Sequence, residues 1–131
     1  MFIYEVNLTV PTAIAPDYSV WLREHVRTIL DLDGFEAAAW YVRHADAPDD
    51  APVGAGDMPD GDEPEGPRFW TLHYQVRDRA ALTAYFDEHA AALRQDGADR
   101  FAGEVTITRR ILEHRRAFTG IPADDGGPMQ R

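Results

Sequence analysis

The hydrophobic residues of this chain change their spacing in a definite order, and that order narrows the fold more than any other feature. From Phe2 to Val10 they alternate, with Phe2, Tyr4, Val6, Leu8 and Val10 on one side and Ile3, Glu5, Asn7 and Thr9 on the other. Period two among β-branched and aromatic residues predicts a strand with one buried face. Pro11 closes it, having no N–H to give to a ladder. From Pro16 to Leu32 the spacing becomes three and four, through Tyr18, Trp21, Leu22, His25, Val26, Ile29 and Leu30. That is an amphipathic helix, with Pro16 and Asp17 suited to its first turn and Gly34 to its stop.

Alternation returns twice. Phe35 to His44 sets Phe35, Ala37, Ala39 and Tyr41 against Glu36, Ala38, Trp40 and Val42, although alanine is a poor strand former. Arg68 to Val76 sets Trp70, Leu72, Tyr74 and Val76 against Phe69, Thr71, His73 and Gln75. Asp78 then suits the N-cap of a second helix carrying Ala81, Leu82, Tyr85, Phe86, His89 and Leu93, with Gly97 as its end and a short turn through Phe101. Glu104 to His114 alternates again, with Val105, Ile107, Arg109 and Ile111 on one face and Thr106, Thr108, Arg110 and Leu112 on the other. The order β-α-β-β-α-β predicts an α+β, ferredoxin-like domain: a four-stranded antiparallel sheet with two helices on one face, over residues 1–116. The helices carry a faint echo, Trp21-Leu22-Arg23-Glu24-His25 against Tyr85-Phe86-Asp87-Glu88-His89, sharing Glu and His.

Residues 46–67 interrupt the pattern. They hold five prolines, four glycines and eight acids with no base, where a hairpin needs only about two to five loop residues. A segment with so little to bury is expected to be mobile, as is the tail 117–131. These eight acids account for most of the net charge of −10, leaving the remainder nearly balanced at −2. A balanced domain with one acidic segment does not predict a nucleic-acid or membrane partner, because the first calls for a basic stripe and the second for an apolar run of about 18 residues. The opening MFIYEVNLTV has no basic n-region, so no secretory leader is expected and the cytoplasm is the default compartment.

Composition removes several chemistries. There is no cysteine, hence no disulfide, thiol nucleophile or thiolate metal site. All 13 basic residues are arginine, which excludes a Schiff-base lysine and a P-loop. The single serine, Ser19, lies in a helical stretch and not in a nucleophile elbow. No H-E-x-x-H or clustered third ligand marks a metal site, and no cofactor is expected.

Three histidines are the candidate catalytic groups. His25 and His89 both lie on apolar helix faces, where imidazoles are ordinarily packed but also have the means to line one cavity with Tyr4, Trp21, Tyr74 and Tyr85. His73 falls on the sheet face turned away from the helices, together with Glu5 and Arg110. That face is polar for a sheet-on-sheet contact, so its charges must be paired if anything covers it. Tyr4, Trp21, Tyr74 and Tyr85 are the candidate ligand-binding residues for a flat, apolar molecule; as large aromatics they equally supply core. Arg109–Arg110 and Arg115–Arg116 are suited either to an anionic group or to balancing acids such as Glu5 and Glu36.

MFIYEVNLTV at the start, WLREHV in the first helix, WTLHYQV in the third strand and YFDEHAAALRQDGADRFAGEV together resemble a small bacterial family of uncharacterised proteins over about residues 1–115. The resemblance implies the dimeric α/β-barrel variant of the ferredoxin-like fold, a homodimer joined through the uncovered sheet face, and a pocket between sheet and helices. Proteins of this fold include cofactor-free monooxygenases of antibiotic biosynthesis, haem-degrading enzymes, muconolactone isomerases, dye-decolorising peroxidase relatives and stress-response dimers, so fold alone selects no chemistry. Three functions are therefore expected in competition: a homodimer that binds a small aromatic or hydrophobic molecule, a cofactor-independent monooxygenase, isomerase or cyclase with a histidine base, and an interaction module acting through the 46–67 segment.

Overall fold

The computed structural model describes residues 1–44 and 66–121. In chain order they form β1 (Phe2–Val10), one 3-10 turn (Thr12–Ile14), α1 (Ala15–Leu30), β2 (Phe35–Val42), β3 (Arg68–Val76), α2 (Arg79–Glu88), α3 (Ala90–Phe101) and β4 (Thr106–Glu113). The strands make one antiparallel sheet in the order β2-β3-β1-β4. This is the ferredoxin-like α+β arrangement, and it follows from two crossovers that each return past a neighbouring strand. Most of the expected insertion, residues 45–65, and the tail beyond 121 lie outside the described residues.

One sheet face carries the core. Phe2, Tyr4, Leu8 and Val10 of β1 and Trp70, Leu72, Tyr74 and Val76 of β3 are buried, packed with Tyr18, Leu22 and Ile29 of α1 and with Leu82 and Tyr85 of α2. The alternation of β1 and β3 thus places the expected side chains inside. The N-cap of α2 is Asp78, whose carboxylate accepts the Ala81 N–H at 2.9 Å.

Two local readings are corrected. In β2, a bulge between Phe35 and Ala37 shifts the register, so Phe35 stands opposite Val76 while Ala38, Trp40 and Val42 stand opposite Tyr74, Leu72 and Trp70. Simple alternation placed Phe35 with Ala37, Ala39 and Tyr41; the extra residue instead turns Phe35 to the core and those three to the open face. In the second helical region, Gly97 does not end the helix. The chain breaks earlier, at His89 (φ −128°, ψ −33°), and a second helix runs on to Phe101, ending where Ala102 and Gly103 take positive φ. Gly97 lies inside α3 because α1 comes close there: a Cβ on it would be 2.9 Å from the Trp21 ring.

Candidate functional site

Between the helices and the inner sheet face lies a cavity of about 110 Å³. A water needs roughly 10–15 Å³ of such space, so the cavity has room for a small organic molecule. Its floor is Tyr4, Val6 and Leu8 of β1 with Leu72 and Tyr74 of β3. Tyr18, Trp21 and His25 of α1, Tyr85 of α2, and Arg94, Gly97 and Phe101 of α3 form the walls, and Ile107 and Arg109 of β4 close the side. Among the described residues, no carboxylate lines the cavity.

The aromatic groups support one another. Tyr4 stacks on Tyr74 with centroids 5.9 Å apart and meets Tyr85 at 5.4 Å. Trp21 lies against His25 at 4.5 Å, nearly parallel, and meets Phe101 edge-on at 5.8 Å. The Trp21 indole N–H donates to Asp96 at 2.9 Å, and Arg100 donates to the same carboxylate at 3.0 Å, which fixes the ring against α3. The Arg94 guanidinium donates to the Tyr4 hydroxyl at 3.2 Å. The buried Tyr74 hydroxyl has no hydrogen-bond partner among the described residues, a costly condition for a polar atom out of water.

Burial sets the electrostatics. It pushes the Tyr18 phenol up to about 12 and raises those of Tyr74 and Tyr85 further, so all three stay protonated donors at neutral pH. His25 is held down at about 4, first by burial and then by the Arg109 charge, against an upward pull from Asp96. Its imidazole is therefore neutral around pH 7.

The candidates do not gather in one place. Tyr4, Trp21, Tyr74 and Tyr85 line the cavity together with His25. His89 does not join them: it is exposed, at the break between α2 and α3, and lines a separate hollow with Leu32, Phe35 and Glu88. The expectation that both helix histidines share one cavity is corrected on that ground, and the echo between the helices ends there too. His73 is on the opposite sheet face, its Nε2 2.7 Å from Glu5.

That opposite face holds a continuous polar network. Glu5 is only 4% exposed and receives Arg110 from β4, His73 from β3 and the Asn7 amide from its own strand. Burial pushes its carboxyl up, but these hydrogen bonds outweigh it and hold the group at about 2. Thr71 donates to Asn7 at 2.6 Å, and Arg43 donates to Thr71 and to the Trp70 carbonyl, both at 2.8 Å. The paired charges expected of this face are present.

Sequence reasoning missed Arg94, Phe101 and Arg109 as cavity residues. Arg109 was legible, since it shares the β4 parity of Ile107 and Ile111 and stands opposite Val6. Phe101 continues the four-residue step of Leu93 and Gly97, a periodicity obscured by reading Gly97 as a stop. Among the described residues, no cluster of three or more His, Asp or Glu side chains is placed to hold a metal ion. No helix there is long and apolar enough to cross a membrane.

Comparison with solved structures agrees on the fold. A Deinococcus radiodurans protein provisionally assigned as an antibiotic biosynthesis monooxygenase is similar with a TM-score of 0.63 at 12% identity, covering 93% of this chain and 100% of that one. A protein of Arabidopsis thaliana is similar with a TM-score of 0.54 at 11% identity, covering 89% and 99%. No curated protein sequence matches the chain. The sequence pattern of one family spans residues 1–115, the whole of the sheet and its helices, and the chain belongs to that family, DUF4286, a domain of unknown function.

Proposed function

We propose that this chain binds a small aromatic or hydrophobic molecule in the cavity between helices and sheet, and that it does so as a homodimer. The observation that carries the reading is the cavity itself, lined in part by Tyr74, whose buried hydroxyl has no hydrogen-bond partner among the described residues. A packed core normally fills such space and pairs such a group. Tyrosine and tryptophan provide a rigid apolar wall with polar tips, the usual composition of a small-molecule site.

Catalysis by a histidine base has less support. A general base works best with a pKa near the operating pH. His25, the one candidate histidine on the cavity wall, is held at about 4. His73 is engaged with Glu5 on the other face. The acidic segment proposed for an interaction role lies outside the described residues. For the homodimer, support comes from the open face, where the Glu5 network is already satisfied and leaves few orphaned charges for a covering sheet to desolvate.

Two measurements test this. Native mass spectrometry of freshly purified protein is expected to show twice the chain mass; a single-chain mass at micromolar concentration removes the dimer. Titration with phenol, followed at the Trp21 indole N–H by NMR, is expected to give a saturable shift. The absence of any saturable shift up to tens of millimolar removes the binding reading.

A further inference from the structure

The cavity wall is asymmetric in charge. Two arginines, Arg94 from α3 and Arg109 from β4, contribute to it, and among the described residues no acid does. Neither makes an ion pair among the described residues, whereas Arg77, Arg100 and Arg110 are each paired with a carboxylate. Arg94 is steered inward by its hydrogen bond to Tyr4 and by its position over the Phe86 ring, 5.8 Å from the centroid. Arg109 comes from β4, on the core-facing parity of an edge strand. Both positive charges act on the Tyr85 phenol, and Arg109 also acts on Tyr18 and His25, so their fields converge on the same space. Asp96, the nearest acid that His25 senses, is occupied by Trp21 and Arg100.

We propose that the ligand is a small organic acid, its anionic oxygens held between Arg94 and Arg109 and its apolar or aromatic body against Tyr4, Trp21, Tyr74 and Tyr85. This rests on the reading of the cavity as a binding site and adds the class of molecule. Guanidinium is suited to the task, being planar, permanently charged and able to donate two parallel hydrogen bonds to a carboxylate. Partial burial against aromatic walls weakens water's competition for that anion, which strengthens each such bond. His25, kept neutral by burial and by Arg109, becomes easier to protonate when an anion offsets that arginine, so it serves as a reporter.

The test compares benzoate with benzamide, nearly equal in shape but different in charge, on the full chain at low ionic strength. Binding is read at the Trp21 indole N–H, and the His25 midpoint is read by NMR with and without each probe. Benzoate is expected to bind at least about tenfold more tightly than benzamide and to raise the His25 midpoint. Arg94→Gln and Arg109→Gln should each reduce that preference several-fold and together abolish it, read as the ratio of the two affinities in each variant; both side chains are exposed, so folding is retained. Equal binding of the two probes, or a benzoate preference that survives the double substitution, overturns the acid while leaving the cavity as a binding site. Failure of both probes to bind overturns the binding reading and this inference together.

Discussion

Gly34 packs directly on Ala81, so closely that a Cβ added to Gly34 would lie 2.2 Å from the Ala81 Cβ. Gly34 also has φ +84° and accepts the Arg77 N–H through its carbonyl at 2.8 Å. It therefore joins the end of α1 to the start of α2 at a contact where neither strain nor volume is tolerated. Gly34→Ala is expected to destabilise the protein by about 3 kcal/mol or more, combining about 1–2 kcal/mol of left-handed strain with a steric overlap that must move a helix. Urea denaturation checks this. Adding Ala81→Gly should recover part of the loss, the steric part, and a double variant no better than the single one would show the contact to be unimportant.

The buried Glu5 carboxylate predicts an acid limb in stability. Its pKa of about 2 in the folded chain is below the ordinary 4.5, so the stabilisation is complete above pH 4.5 and is lost as pH falls from there toward 2. Hydrogen bonds to a buried charge contribute on the order of 1.5–3 kcal/mol, so Glu5→Gln should lower stability at pH 7 by about that amount and flatten this limb. Chemical denaturation at a series of pH values gives both numbers, and an unchanged slope would exclude the network as the cause.

His25 acts in a different window. Its folded pKa of about 4 is below the unfolded value near 6.5, so the unfolded chain binds the proton first and stability declines as pH falls from 6.5 to 4. The expected loss is on the order of 1–3 kcal/mol over that interval and should be absent in His25→Phe. A direct NMR midpoint near 6.5 would show that the imidazole is not buried as described.

Tyr74→Phe removes a buried hydroxyl without a partner among the described residues. Deleting such a group should leave stability unchanged or raise it by about 1 kcal/mol. A loss of more than about 1 kcal/mol in thermal denaturation would mean that the hydroxyl is paired in solution.

The fold was legible because strands with one buried face print their alternation in sequence, as Phe2 to Val10 and Trp70 to Val76 do. What escaped were features that depend on contacts between distant elements. The bulge after Phe35 answers to pairing with Val76 and Gln75, which no local pattern encodes. Gly97 reads as a stop when α3 is considered alone; only the approach of Trp21 makes it a packing residue. The cavity residues of β1, β3 and α1 were legible as one apolar set, yet whether such a set closes solid or leaves space depends on side-chain volumes summed across several elements. His89 matches His25 in local spacing and differs through a backbone turn at its own position, where neither proline nor glycine gives warning.

That turn divides responsibilities within the cavity. The aromatic floor and the Tyr85 side belong to β1, β3 and α2, whose inward residues also hold the domain together. The outer wall belongs to α3, which begins afresh after His89 and, apart from Ala90, buries none of its residues fully. Arg94 and Ala98 line the cavity and are exposed, so exchanges there are expected to alter the wall while the scaffold beneath is undisturbed. On the proposed binding reading, selectivity and foldability are written largely on separate helices, so substitutions in α3 are expected to change binding more than stability.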